Sequence, residues 1–264
     1  MPEGIKCAYC GAAGTLTREH LWPQSLHRRV IVGAPEDHAG FWLSKIDKEI
    51  ANEPTVRDVC AICNNTVLSQ LDGYICQLYD THFFRILKRH ERALFEYDYH
   101  LLKRWLLKMC FNSARINVSI DAWVFPSLLP YILGKSTAVG RGVQLYVQLA
   151  YPGRVPDNQL EPDDPRPLIY EPVVNRVGHF WFAPEGIGKK LLRAVHLRSY
   201  SFYLAFFDHT TPRKENDFFS EVFLSLNSET KLLRASTSKV ELVCNGRDAW
   251  ESFSGSRGNK IVTG

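Results

Sequence analysis

Cys7-Ala8-Tyr9-Cys10, Glu19-His20-Leu21-Trp22-Pro23-Gln24-Ser25-Leu26 and Cys60-Ala61-Ile62-Cys63-Asn64-Asn65 are the stretches that decide how the chain is read. Two Cys-x-x-Cys knuckles bracket a Glu-His pair, and two asparagines follow the second knuckle directly. Each knuckle presents two sulfurs to one ion, so Cys7, Cys10, Cys60 and Cys63 match the four thiolates of a closed tetrahedral zinc site. Such a zinc clamps a long insertion, because positions 11–59 lie between the knuckles.

The surroundings are those of a globular protein. The chain has 264 residues, 45% of them hydrophobic and 12% aromatic, which is too apolar for a disordered segment. No apolar run approaches the roughly 20 residues needed to cross a bilayer, and Met1 to Lys6 lack an export signal. A soluble cytoplasmic protein with no membrane partner is expected. In a reducing compartment the Cys-x-x-Cys pairs favour metal over disulfide, and Cys76, Cys110 and Cys244 read as buried core thiols. The net charge is +4, while the 11 basic and 11 acidic side chains of residues 1–94 cancel. Any phosphate-binding surface must therefore be a local patch.

Patterning divides the rest. Thr15-Leu16-Thr17 and Val56 to Val59 are strand-like, and residues from Leu43 to Ile50 read as helical. After Asn65, apolar positions recur at three- and four-residue steps to Leu87, and a second helix is expected from Tyr97 to Ile116. Lys88-Arg89-His90 with Arg92 reads as a basic cluster at a helix end, opposing the helix dipole. Beyond Pro126 the chain turns strand-rich: residues 143–149, Gly178 to Phe182, Ala194 to Arg198, Ser201 to Phe207 and Val222 to Leu226. Pro152 to Pro167 reads as a long loop. The expected class is α+β, with a module at 1–94 followed by a helical linker and a strand-rich region at 95–264.

His20 can take a proton from water near neutral pH, Glu19 offers a hard oxygen to a divalent cation, and Asn64 or Asn65 a neutral one. Taken together, Cys7-x-x-Cys10, Glu19-His20-x-x-Pro23-x-Ser25 and Cys60-x-x-Cys63-Asn64 resemble the zinc-stapled HNH endonucleases, over roughly residues 5–75. The resemblance implies a ββα-metal module in which His20 is the general base. A catalytic Mg²⁺ or Mn²⁺ is then held by Glu19 and Asn64, with Asn65 the substitute if the register slips by one. The family places an asparagine before the second knuckle to orient the histidine, and Asn52 is the nearest here.

The implied activity is hydrolysis of DNA phosphodiester bonds, in duplex DNA, in a setting such as restriction or phage defence. Arg28 and Arg29 are candidate phosphate contacts, as are Lys189, Lys190 and Arg193. Asp72 reads as a structural or capping carboxylate, and Trp22 as packing over the zinc knuckle. Two other readings stand beside the nuclease: a zinc-ribbon module that binds nucleic acid or protein without cutting, and an RNA-cleaving enzyme. The C-terminal half carries no chemical motif; target recognition, a regulatory ligand, a partner protein or a homodimer contact are its candidate roles.

Overall fold

The computed structural model describes residues 6–31, 41–43, 45–46, 48–50, 53–136, 142–156, 169–172, 176–184, 188–208 and 210–252. The chain enters through the first knuckle, where a bridge between Lys6 and Ala13 closes the turn around Cys7 and Cys10. Gly11 lies in that turn at φ 73°, a conformation that glycine adopts without a Cβ clash. Strand β1 (Leu16–His20) follows, then helix α1 (Gln24–Ile31), begun by the Pro23 that keeps Trp22 out of the helix.

Strands β2 (Phe41–Leu43) and β3 (Lys48–Ile50) pair antiparallel, where a helix was expected over Leu43 to Ile50. The aromatic start at Phe41-Trp42 suits a strand, and cross-strand pairing outweighs the weak helical periodicity of so short a segment. Strand β4 (Thr55–Cys60) then returns antiparallel to β1, with Leu16 opposite Cys60 and His20 opposite Thr55. The register shifts between Thr17 and Glu19.

One continuous helix, α2, leaves β4 at the second knuckle. It alternates α-helical Ala61–Cys63 and Ser69–Leu78 with π-helical turns Asn64–Leu68 and Tyr79–Phe83. It ends at Phe83, so Lys88, Arg89 and His90 lie in the turn before β5 (Arg92–Glu96) rather than on a helix end. Arg92 is instead ion-paired to Glu241 at 2.8 Å.

Helix α3 (Tyr99–Asn117) is the longest unbroken α-helical stretch among the described residues and lies at the centre of the core. Asp98 caps it by accepting from the Leu101 N–H at 2.9 Å, and Val118, at φ 50°, ends it in the left-handed conformation. From Leu102 to Ala114 only Arg104 escapes full burial, so the helix is packed on all sides. The short α4 (Leu129–Ile132) packs against it.

A five-stranded antiparallel sheet follows, built from β6 (Val143–Leu149), β9 (Arg176–Phe182), β10 (Lys190–Leu197), β11 (Tyr200–Phe206) and β12 (Lys231–Leu233). Its spatial order is β12-β6-β11-β10-β9. A small pair, β7 (Gly153–Arg154) and β8 (Ile169–Tyr170), flanks it; most of the Pro152 to Pro167 stretch lies outside the described residues.

The segment Val222 to Leu226, expected as a strand, belongs to helix α5 (Arg213–Leu226). Asn216, Phe219, Ser220 and Phe223 are its buried positions, a 3.6-residue period, and the Phe219 and Phe223 rings stack at 5.8 Å. Strand β13 (Lys239–Val243) closes the chain on β5.

Two buried clusters hold these pieces. The larger runs from Cys7 through α2 and α3 to Val195, Phe202 and Cys244, so the segments 1–94 and 95–264 share it. A smaller one joins Tyr146, Leu192 and Ala205 of the sheet to Phe219 and Phe223 of α5. Cys76, Cys110 and Cys244 are buried in the larger cluster as thiols. The aromatics of β11 pack as core, with Phe83, Phe95 and Phe202 meeting at 5.9 Å.

Arg193, expected as a phosphate contact, is buried and forked onto buried Asp121, with Nε to Oδ2 at 2.6 Å and Nη2 to Oδ1 at 2.5 Å. That pair ties β10 to the end of α3. Among the described residues no helix is long and apolar enough to cross a membrane.

Two outcomes follow for stability. Asp121→Ala strands a buried guanidinium and should cost about 3–5 kcal/mol in urea unfolding. Lys103, buried in α3 and donating to the Val143 carbonyl at 2.6 Å, is brought down by burial to about 7. The unfolded chain then holds a proton between about pH 7 and the ordinary lysine value that the folded chain lacks. Stability should therefore rise with pH across that window relative to Lys103→Met, measured by parallel denaturation at each pH.

Candidate functional site

The four cysteines converge as their spacing requires. One ligand sulfur from each of Cys7, Cys10, Cys60 and Cys63 lies within 4.8 Å of every other, and Cys10 Sγ is 3.7 Å from Cys60 Sγ. Tetrahedral Zn–S bonds of about 2.3 Å put sulfurs about 3.8 Å apart, so the cluster fits a structural metal such as zinc.

Local backbone geometry prepares it. The Cys60 N–H points at Cys7 Sγ (3.3 Å), and the Cys63 N–H at Cys60 Sγ (3.5 Å). Burial works against ionisation of Cys7, but backbone N–H groups of Cys60, Cys10 and Tyr9 outweigh it and bring the thiol to about 7. Burial and the neighbouring sulfurs push the Cys63 thiol well up. Four thiols so close cannot all ionise without a cation among them. The cluster fastens the first knuckle to the junction of β4 and α2.

His20 ends β1 with its side chain 37% exposed, and its Nδ1 lies 2.8 Å from Glu53 Oε2. The other carboxylate oxygen of Glu53 accepts from the Trp22 N–H at 3.0 Å, so this acid is fixed at both ends. Sequence reasoning passed over Glu53; Asn52, noted only as the nearest asparagine, lies outside the described residues. The signal was a carboxylate immediately before Pro54 at the start of the strand opposite His20. Burial raises the Glu53 carboxyl from its ordinary value, against the opposing pull of His20, His27 and the Trp22 N–H.

Asn64 sits in the first turn of the π segment, and its Nδ2 donates to Thr17 Oγ1 (2.9 Å) and the Arg18 carbonyl (3.0 Å). Its amide nitrogen thus braces β1 against α2, and Oδ1 is the atom left for a ligand. Asn65 beside it is exposed.

The structure places Glu19 elsewhere. It is buried, turned toward α3, with Oε1 at 3.0 Å from Lys108 Nζ and 3.0 Å from Asn112 Nδ2. Lys108 Nζ also meets both oxygens of Asp72 at 2.7 Å, and Trp105 Nε1 donates to Asp72 at 3.1 Å. Burial alone would lower the Lys108 ammonium, but Asp72 and Glu19 outweigh it and keep it charged.

A dication beside Glu19 would meet the repulsion of that ammonium as well as the pull of the two carboxylates. Glu19 Oε1 is thus committed to Lys108 and Asn112, on α3, while Asn64 is held by Thr17 and Arg18. Asp72 is the structural carboxylate the sequence implied, held by α3 rather than by a helix cap.

Lys108 and Asn112 were also missed. Their signal was a polar stripe, Lys108, Asn112 and Arg115, at helical spacing on an otherwise buried helix. Asn112 Nδ2 reaches the His20 carbonyl at 3.1 Å, and its Oδ1 accepts from Tyr9 at 2.6 Å. Arg115 pairs with Asp58 of β4.

Of the two arginines proposed for phosphate, Arg28 is exposed, while Arg29 forks onto Asp80 at 2.8 and 3.0 Å. Trp22 packs 6.1 Å from Trp105 on α3.

Compared with protein-family models, curated proteins and solved structures, the chain matches none. What fold and site define is an α+β protein with a four-cysteine cluster able to hold a structural metal.

If the cluster carries zinc, the full chain should contain about one zinc per molecule. Chelation or Cys60→Ser should loosen β1, β4 and the start of α2, read as faster hydrogen exchange at His20 and Asn64. Unchanged exchange after complete metal removal would remove the staple from the account.

Proposed function

We propose that the chain is an endonuclease of the HNH kind, hydrolysing DNA phosphodiester bonds with His20 as general base. The observation that carries this reading is the His20–Glu53 contact, at the end of a strand braced by Asn64 to the helix that begins at the four-cysteine cluster. An ionised carboxylate only accepts hydrogen bonds, so Nδ1 carries the proton and Nε2 presents a lone pair to solvent. That atom takes a proton from the water attacking phosphorus, and Glu53 stabilises the imidazolium that results. Arg28 is an exposed cation available for a flanking phosphate. Divalent metal supplies charge neutralisation in such reactions; no step is assigned to a Glu19-bound ion, because Lys108 holds that carboxylate.

One observation favours a second reading, a zinc module that binds nucleic acid or protein without cutting. The carboxylate expected to bind the catalytic metal is committed to an ammonium. Incubation of the full chain with plasmid DNA, and in parallel with RNA, in Mg²⁺ or Mn²⁺ separates the two.

His20→Ala should lower nicking by about 10²–10⁴-fold with zinc content unchanged. Glu53→Gln should also lower it, because a general-base histidine that loses its carboxylate can take the wrong tautomer. Equal nicking by wild type and His20→Ala, or none by wild type with any metal, defeats the nuclease reading.

A further inference from the structure

We infer that the cation between the β1–β4 hairpin and α2 is supplied by the protein itself: Lys108 of α3 fills a closed ammonium site formed by Glu19 and Asp72. The two carboxylates come from different elements, β1 and α2, and meet only through Lys108 Nζ, at 3.0 Å and 2.7 Å. The Lys108 side chain is 2% exposed and that of Glu19 5%, while Asp72 is 20% exposed, so the set opens to solvent only on the Asp72 side. Asn112 and Trp105 donate to the same oxygens that Lys108 meets, Glu19 Oε1 and Asp72 Oδ1, at 3.0 and 3.1 Å.

An ammonium with three donors suits this set. It is rooted in a helix buried on all sides, so it cannot swing away to admit a dication without leaving a buried charge behind. Any divalent ion used in catalysis is then held by the substrate phosphate and by residues other than Glu19. The assignment concerns the occupancy of one site and does not depend on whether the chain cuts DNA.

Trp105 makes the site observable, since its indole N–H rests on Asp72. In the zinc-loaded full chain, the Trp105 indole resonance, assigned through Trp105→Phe, should stay sharp as Mn²⁺ is raised to millimolar levels. Lys108→Ala leaves two buried carboxylates facing each other. It should bind Mn²⁺ at least tenfold more tightly than wild type and broaden that resonance, and adding Glu19→Gln should restore sharpness.

Broadening in wild type that Glu19→Gln abolishes would overturn the assignment, as would a folded Lys108→Ala that gains no Mn²⁺. If Lys108→Ala does not fold, as judged by thermal unfolding, the wild-type titration decides alone. Nicking measured on the same samples is scored separately. Its absence defeats the nuclease reading and leaves the ammonium site standing, while Glu19-dependent broadening does the reverse.

Discussion

The Lys108 ammonium joins three elements that local sequence cannot bring together. It draws Glu19 of β1 and Asp72 of α2 onto one face of α3, 2.7 to 3.0 Å from each. A charge so deeply buried persists only when its partners are fixed, and removing one partner from such a set costs about 3–5 kcal/mol. The geometry of the hairpin therefore depends on α3 being in place. Asn112, one turn along, carries the same constraint to the His20 carbonyl, and Arg115 carries it to Asp58 on β4.

The sulfur cluster works from the other end. It joins the first knuckle to the β4–α2 junction, while Asn64, the residue after Cys63, reaches back to Thr17 and Arg18. The π turn that begins at Asn64 adds a residue to the local helical repeat, a feature common where a helix serves a site. His20 has one ring nitrogen anchored on Glu53 and part of its side chain open to solvent. The hairpin is thus fixed by two centres, a four-cysteine cluster able to hold a metal and an ammonium supplied by the protein.

The strand-rich half is not a separate appendage. Its sheet packs on α3, β13 pairs with β5, and the Arg193–Asp121 fork fixes β10 to the end of the helix that positions His20. A partner that engages the sheet would thus press on the same helix. The aromatic core shared by Phe83, Phe95 and Phe202 makes the connection stiff.

Much of this was legible in the sequence. Thiol spacing implied the cluster, β-branched runs and 3.6-residue periods placed β1, β4, α2, α3 and most sheet strands, and Pro23 marked the break after the Glu-His pair. Short segments with mixed signals were not legible: 43–50 formed a hairpin and 222–226 a helix, because pairing and a buried face outweighed local preference.

The partners of the charged residues were decided by tertiary structure alone. Glu19 and His20 are adjacent in sequence, yet one is sealed against Lys108, 89 positions later, and the other meets Glu53 at the surface. Sequence fixes which side chains can be bases, ligands or counter-ions. Only packing chooses among those roles, because a carboxylate's chemistry depends on the cation placed beside it and on the water excluded around it.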